Sequence, residues 1–377
     1  MRRLAVLFVI PVCLLIASQT SAQQSAVQVQ GIKGPITIRR DERGIPYIEA
    51  QNDEDLYFGQ GYATAQDRLW QMDLFRRTAR GELAEVLGAG PNNIAIEQDK
   101  LHRNYGFAHA AEAEAAAASP RARALLEAYA RGVNAYAASL DPKSMPPEFQ
   151  ILQYSFRPWT PADTCVVVKI FYEALSDTWR LDIMRQAMSV LPAEKRAELL
   201  PEISPIDVLV VGKDTPSKPK SAHIAPGSVS NQTLAKLAYN QQIAAAALDR
   251  IGFDTDALAA SNNWVVSGSH TVTGKPLLAN DPHLRPTAPS IWHLVHLSAP
   301  GIRVAGVATA GLPGVIIGHN DRIAWGFTNV GPDVQDLYLE KFNPDNSKQY
   351  QTPTGWQDAI IRQEQIKVRK GIGSSEY

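Results

Sequence analysis

Ala259-Ala260-Ser261-Asn262-Asn263-Trp264-Val265-Val266 joins a turn of small and polar residues to an apolar strand. A serine hydroxyl is a weak nucleophile and needs a base. No histidine stands near Ser261 in sequence, although one can come near in space. A second solution is to cut the chain before the serine. The freed α-amine has an unperturbed pKa of about 7.7–8 and can serve as the base near neutral pH. A Ser-Asn pair ahead of a strand is also an ordinary turn, so the spacing leaves both readings open.

Working outward, Ser261 marks a change of pattern. Downstream, apolar and β-branched residues predict strands at 263–268, 276–280, 291–297, 304–310, 315–318 and 323–328, separated by turns such as Thr273-Gly274 and His319-Asn320-Asp321. A strand-like run at 365–369 lies close to Tyr377. Upstream, an alanine-rich segment at 233–250 predicts a helix, and residues 212–231 (GKDTPSKPKSAHIAPGSVSN) read as a linker or exposed, cuttable segment. Leu69, Met72, Phe75 and Ala79 form one helical face, with Arg68, Arg76, Arg77 and Arg80 around it, in a helix that starts after Asp53 and stops at Gly81. Further helices are predicted at 108–117 and 120–139. Thr160-Pro161-Ala162-Asp163 is a helix start, and that helix is expected to run into 166–190. Residues 27–50 alternate apolar and polar and predict two or three strands. The pattern alone supports an α+β chain with a helix-rich first half, a linker and a strand-rich second half.

Arg2 and Arg3, the apolar run from Leu4 to Ala17 and the small residues before Gln23 read as a secretory signal over 1–22, cut near Ala22. An uncleaved anchor is the other reading, although the run is short for a bilayer. The expected location is secreted or periplasmic, with no membrane association after signal removal. Cys165 is then the only mature cysteine, so no intrachain disulfide can form. Thirty-seven basic residues balance 38 acidic ones, and no Lys/Arg block is present to track phosphates, so nucleic acid is not an expected partner.

Familiar catalytic spacings are missing: the sequence has no HExxH, GxSxG or GxxxxGK[ST]. Ser217-Lys218-Pro219-Lys220 satisfies the serine-x-x-lysine pattern but lies in the polar linker, where desolvation cannot lower a lysine pKa. His293 and His296 sit on one predicted strand at a spacing that points them to opposite faces, so with His283 they read as ordinary histidines rather than a zinc site.

An ordered series of segments resembles the penicillin acylase (penicillin amidase) family of N-terminal nucleophile hydrolases, which includes acyl-homoserine-lactone and lipopeptide acylases. It begins with Asp41-Glu42-Arg43-Gly44-Ile45-Pro46-Tyr47 and Gly59-Gln60-Gly61-Tyr62-Ala63-Thr64-Ala65-Gln66-Asp67-Arg68-Leu69-Trp70. Arg76-Arg77, Gly81-Glu82-Leu83-Ala84-Glu85, Pro147-Glu148-Phe149 and Trp159-Thr160-Pro161-Ala162-Asp163 follow. The second half supplies Ser261-Asn262-Asn263-Trp264, Asn280-Asp281-Pro282-His283-Leu284, Gly311-Leu312-Pro313-Gly314 and Ala324-Trp325-Gly326-Phe327-Thr328-Asn329-Val330.

The resemblance implies an αββα sandwich, two stacked antiparallel sheets between helical layers, incomplete at its C-terminal end. It implies a precursor cut between Ala260 and Ser261: a light chain of 23–211, a spacer or linker region at 212–260 and the first part of a heavy chain at 261–377, the two chains remaining together as a heterodimer. By position, Ser261 is the nucleophile, its α-amine the base, His283 the residue that steadies that amine, and Val330 the donor of one oxyanion N–H. Phe171, Leu175, Leu284 and Ile317 fall near positions that line the acyl pocket. Asp333, Gln335 and Asp336, completed by Asp182, match a calcium site of hard oxygen donors; no organic cofactor is implied. The expected reaction is hydrolysis of an amide with an apolar acyl group, the substrate being a penicillin-like amide, an acyl-homoserine lactone or a lipopeptide. Two other readings stay open: a non-catalytic remnant that binds acyl ligands, and a single-chain serine hydrolase with His283 as base. Heavy chains of the family run several hundred residues, against 117 here (261 through 377). The chain is therefore expected to be a piece of a longer protein, with an oxyanion asparagine and its supporting arginine beyond Tyr377.

Overall fold

The structure, a computed structural model, describes residues 26–176, 178–199, 229–253, 261–284, 286–329 and 334–377. The signal segment, most of the 212–231 linker with its serine-x-x-lysine sequence, and Ala260, Val330 and Asp333 lie outside the described residues. The segment Met1–Gly31 forms a unit of its own, whose described part has no helix or strand.

The second unit, Ile32–Tyr377, begins with an antiparallel pair, β1 (Thr37–Arg40) and β2 (Pro46–Glu49). A long helix, α1 (Asp53–Arg80), follows. Its start is determined by chemistry legible in the sequence: the Asn52 side chain accepts the Asp55 N–H at 2.9 Å, and three acids occupy the positive first turn. Its end is set by Gly81 in the left-handed conformation (φ 65), which a side chain would disfavour. Then come α2 (Ala84–Leu87), α3 (Ile94–Tyr105), α4 (Phe107–Ala117), α5 (Pro120–Ser139), α6 (Pro147–Leu152), α7 (Pro161–Leu175), α8 (Trp179–Met188), α9 (Ala193–Leu199) and α10 (Asn231–Arg250). The helix expected to continue to residue 190 is interrupted between α7 and α8. There the Ser176 hydroxyl turns back onto the Tyr172 carbonyl and the Thr178 N–H onto the Ser176 carbonyl, offering the backbone an alternative to helical bonding.

The strand-rich half contains β3 (Ser261–Val266), β4 (Leu277–Pro282), β5 (Trp292–Ala299), β6 (Ile302–Thr309), β7 (Ile317–Asn320), β8 (Ala324–Trp325), β9 (Phe342–Asn343), β10 (Asn346–Thr352) and β11 (Gly355–Asp358). Among the described residues these form a six-stranded sheet ordered β1-β2-β5-β6-β7-β8, a three-stranded sheet β11-β10-β9 and the pair β3-β4. The α+β class is as expected. One pairing in the large sheet, β2 with β5, is parallel rather than antiparallel. The 365–369 run joins no strand. Ile366 and Val368 instead pack against Leu83, Ala84 and Ala95, and the Arg369 N–H bonds the Ala84 carbonyl at 3.0 Å.

Two apolar clusters hold α1 in place. One lies between α1 and the sheet and contains Ile48, Leu56, Ala63, Val295, Leu297 and Ala308. The other joins α1 to α5 and α7 through Leu69, Met72, Phe75, Tyr129, Val133 and Val167, and extends to Trp159, Phe253 and Ile291. Helices α1 and α5 approach so closely that a Cβ on Gly132 would lie 1.9 Å from the Phe58 carbonyl oxygen, and one on Gly61 2.1 Å from that of Tyr129. Only glycine fits at either position.

The interior also contains charges. His102 is fully buried on α3 and its Nε2 lies 3.1 Å from Glu173 Oε2 on α7. Burial works against the imidazolium, but the charge and hydrogen bond of Glu173 outweigh it, so the His102 pKa is raised. Nearby, burial pushes Asp99 up to about 6 despite bonds from the Ala84 and Leu83 N–H groups. A raised histidine stabilises the fold fully below the unfolded value of about 6.5, and that contribution is lost as pH rises through the folded value. Asp99 loses its contribution at lower pH, before that window opens. The urea midpoint of the parent chain is therefore expected to fall from pH 6.5 upward, and His102→Gln to flatten that limb. Parallel profiles above pH 6.5 would show that His102 is not the group responsible.

Candidate active site

Ser261 is the first residue of β3, and the antiparallel register sets it opposite Pro282, with Asn262 opposite Asp281 and Asn263 opposite Asn280. His283 directly follows the residue that faces Ser261. Strand pairing thus brings together two residues 22 positions apart (283 − 261). His283 Nε2 lies 2.9 Å from Asp281 Oδ2, so a carboxylate orients the ring. The sequence motif gives Asp281 no role of its own. A carboxylate two residues before a histidine was the signal available, but only the structure shows the two side chains meeting.

Leu284 follows His283 and packs on the edge of the large α1 cluster, together with Phe171 and Leu175 of α7. Three of the four residues assigned to the acyl pocket therefore border one cluster. Ile317 opens β7, paired with Val307. Phe253, only eight positions before Ser261 (261 − 253), is buried against Phe171 in an edge-to-face contact with centroids 4.8 Å apart. The spacer region assigned from sequence includes α10, whose Leu248 is buried, as are the following Ile251 and Phe253. Phe253 was missed because a lone aromatic after an alanine-rich helix has no periodicity to announce its burial.

The acids assigned to calcium are partly described. Asp182, on α8, has Arg185 at 3.4 Å. Gln335 has a buried Oε1 with no hydrogen-bond partner, an orphan acceptor of the kind a hard cation satisfies. Among the described residues no three His, Cys, Asp or Glu side chains gather as a metal cluster. His293 and His296 lie on opposite faces of β5: His293 is buried and bonded to Asp67 of α1 at 3.0 Å, while His296 stacks on Tyr47.

The penicillin amidase family profile matches residues 35–376. The chain belongs to the penicillin amidase family. It is similar to the acyl-homoserine lactone acylase QuiP of Pseudomonas aeruginosa, at 35% identity over 92% of this chain and 39% of that protein. It is also similar to the penicillin acylase 2 proenzyme of a Pseudomonas species, at 32% identity over 92% of this chain and 42% of the relative. Penicillin G acylase of Escherichia coli is 27% identical over 89% of this chain and 44% of its own length. The chain thus spans about two fifths of the relatives it matches. The ordered segments read from the sequence are those of a penicillin amidase, a family of acylase hydrolases, and no helix among the described residues is long and apolar enough to cross a membrane.

Proposed function

We propose that this penicillin amidase is made as a precursor whose Ser261 becomes an N-terminal nucleophile for hydrolysing apolar acyl amides. The observation that carries the reading is the β3–β4 register, which sets Ser261 at the head of a strand beside the Pro282-His283 turn. Attack of Ser261 Oγ on the Ala260 carbonyl carbon breaks the Ala260–Ser261 C–N bond and frees the α-amine, and one water then hydrolyses the resulting ester to restore the hydroxyl. That amine takes the hydroxyl proton as Oγ bonds to the substrate carbonyl carbon. The oxyanion accepts from the Val330 N–H, a donor fixed before the charge develops. Collapse breaks the C–N bond, the proton passes to the leaving amine, and water then releases the acid from the acyl-enzyme. His283, oriented by Asp281, steadies the amine. Phe171, Leu175, Leu284 and Ile317 take the acyl chain, and the substrate class is an acyl-homoserine lactone or a penicillin-like amide, as the relatives' names suggest. The 23–211 and 261–377 segments stay associated as light and heavy chains after export through the 1–22 leader.

The same reading includes calcium. The orphan Oε1 of Gln335 supports oxygen ligation by Asp182, Asp333, Gln335 and Asp336, with a structural rather than chemical role. Chelation by EGTA is expected to lower the melting temperature by several degrees, with Ca²⁺ restoring it; an unchanged melting curve removes the metal from the proposal.

A second reading is favoured by the His283–Asp281 contact, which resembles the base-and-orienter half of a serine triad. In that case the uncut chain would be the enzyme and His283→Ala would silence it. Intact mass spectrometry of the purified protein, beside release of amine from an N-acyl homoserine lactone, tests the two. A species beginning at Ser261 supports the precursor reading, whereas an active uncut chain supports the second.

A further inference from the structure

Asn280 is half-buried on β4, and every polar atom of its amide is used across two different segments. Its Nδ2 donates to the Asn262 carbonyl at 3.0 Å and to the Phe327 carbonyl at 3.0 Å, and its Oδ1 accepts the Phe327 N–H at 2.9 Å. One partner is the residue directly after Ser261. The other precedes the assigned oxyanion donor, Val330, by three residues. The bonds from a single planar amide therefore connect the start of the nucleophile strand to the loop that leads to the oxyanion hole. Gly326 confirms how closely that loop is drawn in: a Cβ there would lie 2.7 Å from Asn280 Oδ1 and 2.8 Å from its Cβ. No other side chain provides this geometry, because aspartate lacks the donors and glutamine would push the strand and loop apart by a methylene.

We infer that Asn280 is a positioning residue for this active site, which holds the head of the Ser261 strand against the Gly326–Phe327 segment that leads in sequence to the assigned oxyanion donor. The assignment rests on the proposed N-terminal serine mechanism. Its physical basis is that an error of about 1 Å between attacking group and oxyanion donor costs on the order of 100-fold in rate. None of its bonds goes to the Ser261 hydroxyl or to a residue assigned to the acyl pocket, so its effect falls on the chemical step and not on acyl binding.

The test uses the full chain with Asn280→Ala, Asn280→Asp and Gly326→Ala. Backbone hydrogen exchange is expected to accelerate about tenfold or more in peptides covering 261–266 and 326–329 together in Asn280→Ala and Gly326→Ala, with α1 peptides unchanged. Asn280→Asp, which keeps an acceptor for Phe327 but no donor for Asn262, is expected to preserve protection at 327 alone. Cleavage before Ser261 is expected to slow about 10- to 100-fold in all three, and turnover to lose kcat with KM unchanged. Unchanged exchange in both segments of Asn280→Ala overturns the clamp whether or not the chain is cleaved. Accelerated exchange with undiminished cleavage overturns the positioning role. If the parent is never cleaved, neither at this length nor extended to the length of the relatives, the serine mechanism fails, and the clamp is then judged on exchange alone.

Discussion

Ser261→Ala is expected to leave the column as one uncut chain, while the parent separates on denaturing gels into two chains, the heavier-numbered one starting at Ser261. The effect is all-or-none because the proposed cut and the later hydrolysis use the same oxygen. Removing Oγ leaves no nucleophile for either, and neither His283 nor Asp281 can substitute, since each lacks a hydroxyl at the head of β3. Ser261→Cys separates the two uses of that oxygen. A thiol retains nucleophilicity, so slow cleavage is expected to survive where alanine abolishes it. If parent and Ser261→Ala show the same cut at the same rate, a contaminating protease is responsible and the proposed maturation is wrong. If neither is cut, the comparison is repeated on a chain extended to the length of the relatives, and an uncut parent there ends the maturation proposal.

Asp73→Ala is expected to cost about 3–5 kcal/mol of stability, enough to unfold a marginal domain. Asp73 is fully buried on α1 and accepts from Arg76 Nε at 2.7 Å, Arg77 Nε at 2.9 Å and the Tyr154 hydroxyl at 2.6 Å. Arg76 is equally buried, bonded onward to the Pro158 carbonyl and lying over the Phe156 and Trp159 rings. Removing the carboxylate leaves two buried guanidinium groups with longer ion pairs, Arg76 to Asp163 at 3.4 Å and Arg77 to Glu85 at 3.3 Å, and this undercompensated charge in a low-dielectric interior outweighs the lost hydrogen bonds. Burial works against ionisation of Asp73, but Arg76, Arg77 and Tyr154 more than offset it, so its pKa is lowered. A depressed carboxylate contributes fully above its unfolded value of about 3.9, and its contribution disappears as pH falls through the folded value. The urea midpoint of Asp73→Ala is accordingly expected to lie well below the parent's at pH 7, with the gap narrowing under acid. A gap smaller than about 1 kcal/mol at pH 7 would mean that solvent reaches the arginines and that the cluster contributes little.

Those arginines show where reading the sequence failed. The apolar stripe of Leu69, Met72, Phe75 and Ala79 was legible and is fully buried, but Arg76 and Arg77, expected beside it, are buried as well. A helix pattern assigns charged residues to solvent by default. It has no means of knowing that Asp163, 87 positions from Arg76, and Tyr154, 81 positions from Asp73, converge on this one cluster. Likewise α2, β9 and β11 are too short to show a period, and the 365–369 alternation predicts a strand although its apolar residues pack on α2 and α3.

Local chemistry, present in the sequence, sufficed for the starts of α1, α5 and α7 and for the end of α1. Asn52, Gly81, Ser119 and the Thr160–Asp163 capping box act within one helical turn, so their effect does not depend on the rest of the chain. Motif order likewise sufficed for the family. The tertiary structure decided which residues share a site, because pairing and burial bring together groups that sequence separation keeps apart. It decided that β3 pairs with β4 in the register that sets His283 beside Ser261, and that Asn280 bridges Asn262 and Phe327. It also decided that Phe253 packs on Phe171, a contact made by the meeting of α7 with the segment after α10 rather than by any spacing along the chain.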